Sequence, residues 1–356
     1  MGQAEAIVKA LTFHAERIVR HEEVPEPGIL HPQDVILKVE ATAICGSDLH
    51  VYCGREPGLD AGTPMGHEAA GTILEIGSAV TRFKIGDRVA LPFSSCCGDC
   101  ALCHEGLTSR CGKGELFGWV QEGTGLPGLQ AERARVPFAD ATLVRLPDEI
   151  TFEQGALLGD IVPTGAFCAD LAGVRQGVRC VVIGCGPVGM MAVLAAQARG
   201  AARIWAIDMI PERLALCASF GAEPIYPRTA EPVAAVLSGT DGRGADAVME
   251  VAGSYAAARL AFDLARPGAT IASIGVHVPG EVPGFTAAEA YAKNLTYRSG
   301  RCPARRYMER LLPFMGAEKS RLAKIVSHRL PLSDGVEAYA MFEEKRSGCT
   351  KVVLTP

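Results

Sequence analysis

The sequence predicts an α/β protein of two domains. One is a β-rich domain formed by residues 1–160 and 301–356. The other, over 161–300, is a doubly wound parallel sheet of six strands. Three observations carry this reading. At 356 residues the chain is long for one domain and suits two. Up to about residue 160, short β-like runs alternate with glycine- and proline-rich turns. From about 161 the rhythm changes to strand and helix in alternation, the pattern of a parallel sheet covered on both faces.

Taken in order, the β-rich part contains Ala6-Ile7-Val8-Lys9, Asp34 to Val39, Ala70 to Ile76 and Arg88 to Leu91. Pro25-Glu26-Pro27-Gly28 and Ile85-Gly86-Asp87 are turn signals between them. This region reads as largely antiparallel and barrel-like. The second domain supplies strands at 180–184, 204–208, 224–226, 246–251, 269–275 and 295–299. Helices fall between them, one opening with Pro211 in its first turn. Helices around 304–315 and 333–345, with a last strand Lys351-Val352-Val353-Leu354, are expected to return to the first domain. The second domain is then an insertion within the first.

Apolar residues make up 48% and charged residues 21%, enough to fill a sizeable core. A formal charge of −5 without a basic cluster argues against a nucleic-acid partner. Met1-Gly2-Gln3-Ala4-Glu5 is acidic and shows no signal-peptide pattern. Ala6 and Ile7 supply no hydroxyl for a myristoylation signal after Gly2. The uncharged run from Cys180 to Ala198 is of membrane-span length, but its glycines, Pro187 and Gln197 favour a buried βα unit. A cytoplasmic protein is the expectation. Thirteen cysteines, an odd count with one tight cluster, read as metal binding instead of a disulfide frame.

The stretch Val181 to Gly189 reads V-V-I-G-C-G-P-V-G, a strand breaking into a glycine turn and then a helix. Gly184 permits the turn, Gly186 lets a pyrophosphate approach the backbone, and Gly189 lets the helix pack on the strand. Pro187 and Val188 open the helix, whose N-terminus faces the phosphates. Ile204 to Asp208 is the next strand, and it ends in a carboxylate. Asp208 there accepts both ribose hydroxyls of NAD and repels the 2′-phosphate of NADP. Arg213 follows five residues later. The alternative is a packed βα turn without a ligand.

Three clusters precede this turn: Cys45-Gly46-Ser47-Asp48-Leu49-His50, Gly66-His67-Glu68, and Asp160 within Leu158 to Gly165. Thiolate, imidazole and carboxylate suit zinc, and three protein ligands leave a position for water or substrate. Singly, Cys45 also fits core packing, His67 a satisfied buried histidine, and Asp160 a helix cap. Cys97, Cys100, Cys103 and Cys111 are more specific. Four cysteines on one short lobe wrap a tetrahedral ion with no open position, a structural site. Cys96 and His104 stand beside them, and the spacing needs neither.

With these residues in place, the chain resembles a zinc-dependent medium-chain dehydrogenase of the alcohol, sorbitol and threonine dehydrogenase superfamily, over nearly its whole length. C-G-S-D-x-H stands at 45–50, G-H-E at 66–68, the structural-zinc lobe at 96–112, the cofactor turn at 184–189 and the acid at 208. The run Asp160-x-x-Pro163-Thr164-Gly165 is similar to the microbial branch, in which aspartate replaces a third cysteine ligand. The resemblance implies a GroES-like catalytic domain and a Rossmann domain. It implies two Zn2+ per chain, one catalytic on Cys45, His67 and Asp160 and one structural. Glu68 would approach the metal when water leaves, and Asp48 would orient His67. Ser47 would take the alcohol proton and His50 release it. Thr164 would sit near the nicotinamide, Val251, Gly275 and Val276 would line the cofactor cleft, and Lys351 would meet the pyrophosphate or stand as a solvated lysine.

The chain departs from the pattern in places. Gly46 stands where some animal relatives carry a basic phosphate contact, which makes Lys351 and Arg301 the candidates for that role. Ala166-Phe167-Cys168 stands where many relatives place an aromatic followed by His. Phe93, Phe117 and Trp119 fit either the pocket wall or an aromatic core. The expected activity is reversible hydride transfer between NAD and a secondary or otherwise non-ethanol alcohol. Alternatives are a polyol-, sorbitol- or threonine-type dehydrogenase, or a formaldehyde dismutase with tightly held NAD. The expected partners are the small-molecule alcohol or carbonyl and further copies of the chain, as a homotetramer in preference to a dimer. Neither nucleic acid nor membrane is expected.

Overall fold

The computed structural model describes residues 6–276 and 284–356, so the acidic N-terminus Met1 to Glu5 lies outside the described residues. The chain divides into two compact units, Met1–Asp160 with Pro303–Pro356, and Ile161–Cys302. Arg301 and Cys302 therefore belong to the second unit, two residues beyond the boundary drawn from the sequence.

In the first unit, Val35–Ile44 is the organising strand. It pairs antiparallel with Glu68–Ile76, Arg133–Val136 and the C-terminal strand Val352–Thr355. The last of these is how the end of the chain returns to the first unit. Val35, Leu37 and Val39 alternate onto one face, where they pack with Phe83, Leu91, Phe117 and Leu126. Further along, Ile44 meets Leu11, Tyr52, Tyr339, Val352 and Leu354 in a second cluster.

Ile7–Ala15 forms a hairpin with Ile18–Pro25, a strand that the sequence does not announce. Its residues, Ile-Val-Arg-His-Glu-Glu-Val-Pro, lie mostly at the surface and carry little apolar alternation. The helix Phe152–Gly159 starts on a capping box, with Thr151 and Gln154 satisfying each other's backbone N–H groups. It ends pressed against the strand Arg88–Leu91: a Cβ on Gly159 would stand 2.3 Å from the Leu91 carbonyl oxygen. That close approach fixes where Asp160 emerges.

The second unit is a six-stranded sheet in the order Glu223–Ile225, Arg203–Ile207, Arg179–Ile183, Ala245–Glu250, Ala265–Ser273, Thr296–Ser299. Every neighbouring pair is parallel. In sequence terms this order is 3-2-1-4-5-6, a doubly wound Rossmann sheet whose order reverses beside its first strand. The fifth strand begins at Ala265, ahead of the predicted 269. It runs through Pro267 and Gly268, and its pairing with Ala245–Glu250 is irregular there. Among the described residues no helix is long and apolar enough to cross a membrane; Cys180 to Ala198 is a buried strand and helix.

Candidate metal centre and dinucleotide turn

The register of two strands builds the first site. Ala43 pairs with Glu68, so the residue just past one strand, Cys45, comes beside the residue just before the other, His67. Asp160 arrives from the end of the helix Phe152–Gly159. Cys45, His67, Glu68 and Asp160 are all buried, and one ligand atom from each lies within 4.8 Å of the others. Cys45 Sγ is 3.2 Å from Asp160 Oδ2, which is 3.5 Å from His67 Nε2. A tetrahedral zinc with nitrogen, oxygen and sulfur ligands sets its donors about 3.3–3.8 Å apart, so the set fits that ion.

The groups around it are equally placed. Asp48 Oδ1 lies 3.1 Å from His67 Nδ1, and Asp48 Oδ2 accepts the Cys45 N–H at 2.9 Å. This leaves Nε2 facing Asp160 and Ser47, whose Oγ is 3.2 Å away. His50 is half-buried on the short helix Asp48–Tyr52, and burial lowers its pKa. Burial also raises the Cys45 thiol, helped by the Asp160 charge, to about 11. Burial alone would raise Asp160 as well, but the His67 hydrogen bond and charge hold it below the usual carboxylate range. His67 is lowered by burial yet raised on balance by the Asp48 charge and its bonds to Asp160 and Asp48. Glu68 is pushed up to about 7 by burial, against the pull of Lys351.

Lys351 requires a correction. It is neither a pyrophosphate contact nor a solvated terminal lysine, because its side chain is fully buried. Its Nζ donates to Glu68 Oε1 at 2.7 Å and to the Ile44 carbonyl at 3.0 Å, with Glu68 Oε2 at 2.5 Å. The sequence carried no local sign of this, since 283 residues separate the partners.

The second centre is the cysteine lobe. Sγ atoms of Cys97, Cys100, Cys103 and Cys111 lie within 4.8 Å of one another. Cys111 is 3.5 Å from Cys97 and 3.8 Å from Cys100, near the separation a tetrahedral thiolate site imposes. The Cys100 thiol is lowered to about 6, chiefly by the Cys103 backbone N–H. Cys96 is not one of the four, and its thiol donates to the Ala141 carbonyl at 3.6 Å. His104 is 68% exposed beside Asp99 and outside the cluster. Phe117 is 1% exposed and belongs to the core cluster, which resolves its two readings toward core.

In the second unit, Gly184 takes a φ of +91°, open to glycine, and the helix Pro187–Ala198 follows from Gly186. A Cβ on Gly189 would stand 1.9 Å from the Gly184 carbonyl oxygen, so helix and strand meet through that hydrogen. A Cβ on Gly186 would meet open space, its nearest neighbour outside the adjoining residues being Arg213 Nη1 at 3.9 Å. That is a cradle for a ligand group at a helix N-terminus without a side-chain cap. Asp208 stands at the strand end. Its Oδ2 accepts the Cys185 N–H of the turn at 2.6 Å, and its Oδ1 accepts the Ile210 N–H at 2.9 Å. Val251 follows the strand Ala245–Glu250, and its backbone N–H donates to the Ile183 carbonyl at 2.9 Å. Gly275 packs on Gly253, with Val276 half exposed beside it. Thr164 is half-buried on the helix Ile161–Leu171.

Comparison with known proteins identifies the family. Residues 31–148 match the alcohol dehydrogenase GroES-like domain, and residues 187–317 match the zinc-binding dehydrogenase family. The chain is 41% identical to zinc-type alcohol dehydrogenase B of Aspergillus flavus, over 94% of this chain and 78% of that one. It is 32% identical to the NADP-dependent isopropanol dehydrogenase of Thermoanaerobacter brockii, over 94% and 95%. The structure superposes on alcohol dehydrogenase TADH from Thermus sp. ATN1 with a TM-score of 0.92 and 36% identity, covering 98% and 99% of the two chains. With its two-part fold, its Cys-His-Asp centre and its cysteine lobe, the chain belongs to the zinc-type alcohol dehydrogenases of the medium-chain dehydrogenase superfamily.

Proposed function

We propose that this alcohol dehydrogenase is NAD-linked and interconverts a secondary or otherwise non-ethanol alcohol and its carbonyl, with one catalytic and one structural zinc per chain. The observation that carries it is the buried set of Cys45, His67 and Asp160 with Glu68 beside it. Three ligands plus one displaceable acid describe an open metal position, whereas four thiolates describe a closed one. Zinc bound there supplies a Lewis acid that lowers the pKa of an alcohol hydroxyl, and the dinucleotide supplies the hydride acceptor.

The chain's own residues do the rest. Asp48 accepts the Nδ1 proton of His67 and so presents Nε2 as the metal donor. Ser47, beside Nε2, is the first acceptor for the alcohol proton, and His50 passes it to solvent. Burial lowers the His50 pKa, which favours the neutral imidazole that can take a proton. Glu68, charge-paired with Lys351 and beside the three ligands, would be available as a further oxygen donor to the metal. The turn Gly184, Gly186, Pro187, Val188 and Gly189 holds the pyrophosphate. Asp208 reads the adenosine ribose and Arg213 flanks it, while Thr164, Val251, Gly275 and Val276 are assigned to the nicotinamide half.

Asp208 supports NAD, because a carboxylate at the strand end repels a 2′-phosphate. The name of the relative from Thermoanaerobacter brockii supports a secondary alcohol. The exposed edge strand Thr296–Ser299 supports a homo-oligomer, which we assign as a tetramer in the cytoplasm.

The test is initial-rate NADH and NADPH formation over primary, secondary, aromatic and polyol alcohols, on protein of measured zinc content. Two zinc per chain, a preference for NAD and one favoured secondary alcohol are expected. Preference for a polyol overturns the substrate class. Turnover only without added cofactor, on protein that copurifies with NAD, points to a dismutase.

A further inference from the structure

Behind the Cys-His-Asp centre runs a buried chain of hydrogen bonds that reaches the C-terminal helix Gly335–Glu344. Asp48, which faces His67 Nδ1 with one oxygen, takes two donors on the other: the Cys45 N–H at 2.9 Å and Gln130 Nε2 at 3.4 Å. Gln130 Nε2 also lies 3.2 Å from the Ala43 carbonyl. Gln130 Oε1 accepts the Tyr339 hydroxyl at 2.8 Å. Gln130 and Tyr339 are both 0% exposed, so water offers none of these atoms a substitute.

We propose that Gln130 and Tyr339 are positioning residues for the metal-binding imidazole, with Tyr339 locking the Gln130 amide so that its NH2 faces Asp48.

The argument is one of donors and acceptors. A glutamine amide has two nearly isosteric orientations. With Nε2 toward Asp48 and Ala43 O, it gives its two protons to two acceptors and shows its carbonyl to a hydroxyl that can donate. Flipped, it would set a carbonyl oxygen against a carboxylate and a second carbonyl, deep in the protein, where unpaired polar groups are costly. The hydroxyl of Tyr339 donates only to the first orientation while its remaining surroundings stay unchanged. The Tyr339 ring is itself fixed against Tyr52, with centroids 5.2 Å apart.

The glutamine is also held along its length. Its backbone N–H donates to Met65 O, and its carbonyl accepts from Leu11 N–H. Its side chain lies flat on Gly66, where a Cβ would come within 2.4 Å of Gln130 Cγ. Gly66 has a φ of +87° and directly precedes His67. The same side chain therefore touches the backbone on one side of the imidazole and the carboxylate on the other. Rotation of Asp48 would turn the His67 ring and move Nε2 off the line to the metal.

The inference rests on the reading of His67 as a metal ligand, and the experiment separates the two. The variants are Tyr339→Phe, which keeps the ring and removes one hydroxyl, and Gln130→Met, which keeps volume and removes both amide groups. On the purified full-length protein, zinc release to a chromogenic chelator gives two phases in wild type, one per site. The catalytic site is then loaded with Co2+ and its visible d–d bands are recorded.

Expected for Tyr339→Phe is a tenfold faster release from the Cys-His-Asp site, with shifted Co2+ bands and an unchanged phase from the cysteine lobe. Gln130→Met should do the same more strongly. Folded variants with both release phases and the Co2+ spectrum as in wild type overturn the positioning role. Equal acceleration of both phases also overturns it, since that is general destabilisation. A wild-type protein holding only the lobe zinc overturns instead the metal reading on which the inference stands.

Discussion

Gly186→Ala is the sharpest test of the dinucleotide turn, because the structure separates its effect on binding from any effect on folding. Gly186 has φ −67° and ψ −177°, a conformation alanine adopts without strain. The added methyl meets only Arg213 Nη1, at 3.9 Å, so stability should stay within about 0.5 kcal/mol of wild type. The same methyl fills the space through which a pyrophosphate would reach the backbone N–H groups of the helix start. Displacing the phosphates by about 1 Å stretches a hydrogen bond of about 2.9 Å beyond the useful range. One lost charge-assisted bond is worth roughly 1.5–3 kcal/mol, which is about a tenfold to hundredfold rise in Kd. The neighbour Gly189→Ala is the contrast. Its methyl would stand 1.9 Å from the Gly184 carbonyl, so strand and helix must part, and about 1–3 kcal/mol of stability goes with the affinity. The assay is NADH fluorescence titration beside urea unfolding, with zinc content as a control. A Gly186→Ala protein of wild-type stability that binds NADH within about twofold of wild type would refute the argument, because the room at that glycine would then have no ligand.

Three further outcomes are expected. Cys45→Ser should abolish alcohol oxidation and lose the catalytic zinc while NADH still binds; retained turnover in a zinc-verified variant would remove Cys45 from the centre. Asp208→Gly with Met209→Arg should move the ratio of kcat/KM for NAD and NADP toward NADP by at least about tenfold, and an unchanged ratio would count against Asp208 as the ribose reader. Asp246 accepts Arg266 Nε at 2.6 Å and the Arg179 N–H at 2.9 Å, tying three strands of the second unit together. Burial raises its pKa, but those donors lower it on balance below 3.8. A depressed carboxylate stabilises the fold above its unfolded pKa and loses that contribution as pH falls through the folded value. Asp246→Asn should therefore cost about 1–2 kcal/mol at pH 7 and progressively less below pH 4, read by urea unfolding; a pH-independent cost would exclude the linkage.

What the sequence shows and hides follows from chain separation. Cys97 and Cys111 are fourteen positions apart, so spacing alone nearly bounds the distances between the thiols of the lobe. The glycine turn is contiguous, and Asp208 closes on Cys185 across one βα unit. Cys45, His67 and Asp160 were named from three separate clusters, but only the Ala43–Glu68 register and the close packing of Gly159 bring them together. Gln130 and Tyr339 are 209 residues apart and carry no motif. Lys351 reads from the sequence as a pyrophosphate contact or a solvated lysine, and the pairing of Val352 with Ile44 turns it inward instead. Polar residues that act through tertiary contacts leave no local period for a reader to find.

The charges of the first centre make sense only when counted together. Cys45, Glu68, Asp160 and Asp48 set one thiol and three carboxyl groups together among buried residues. Buried charge is tolerated when each ion has a partner or enough donors. Lys351, at 0% exposure, pairs with Glu68, and its charge also favours the ionised forms of Asp160 and Cys45. Asp48 is satisfied by donors: a backbone N–H, an imidazole and the Gln130 amide. Cys45 Sγ and Asp160 Oδ2 stand 3.2 Å apart, with His67 Nε2 3.5 Å from that oxygen. A divalent cation held there, as proposed, would balance a thiolate and a carboxylate. The ion pair with Lys351 would then keep Glu68 compensated beside the proposed metal position.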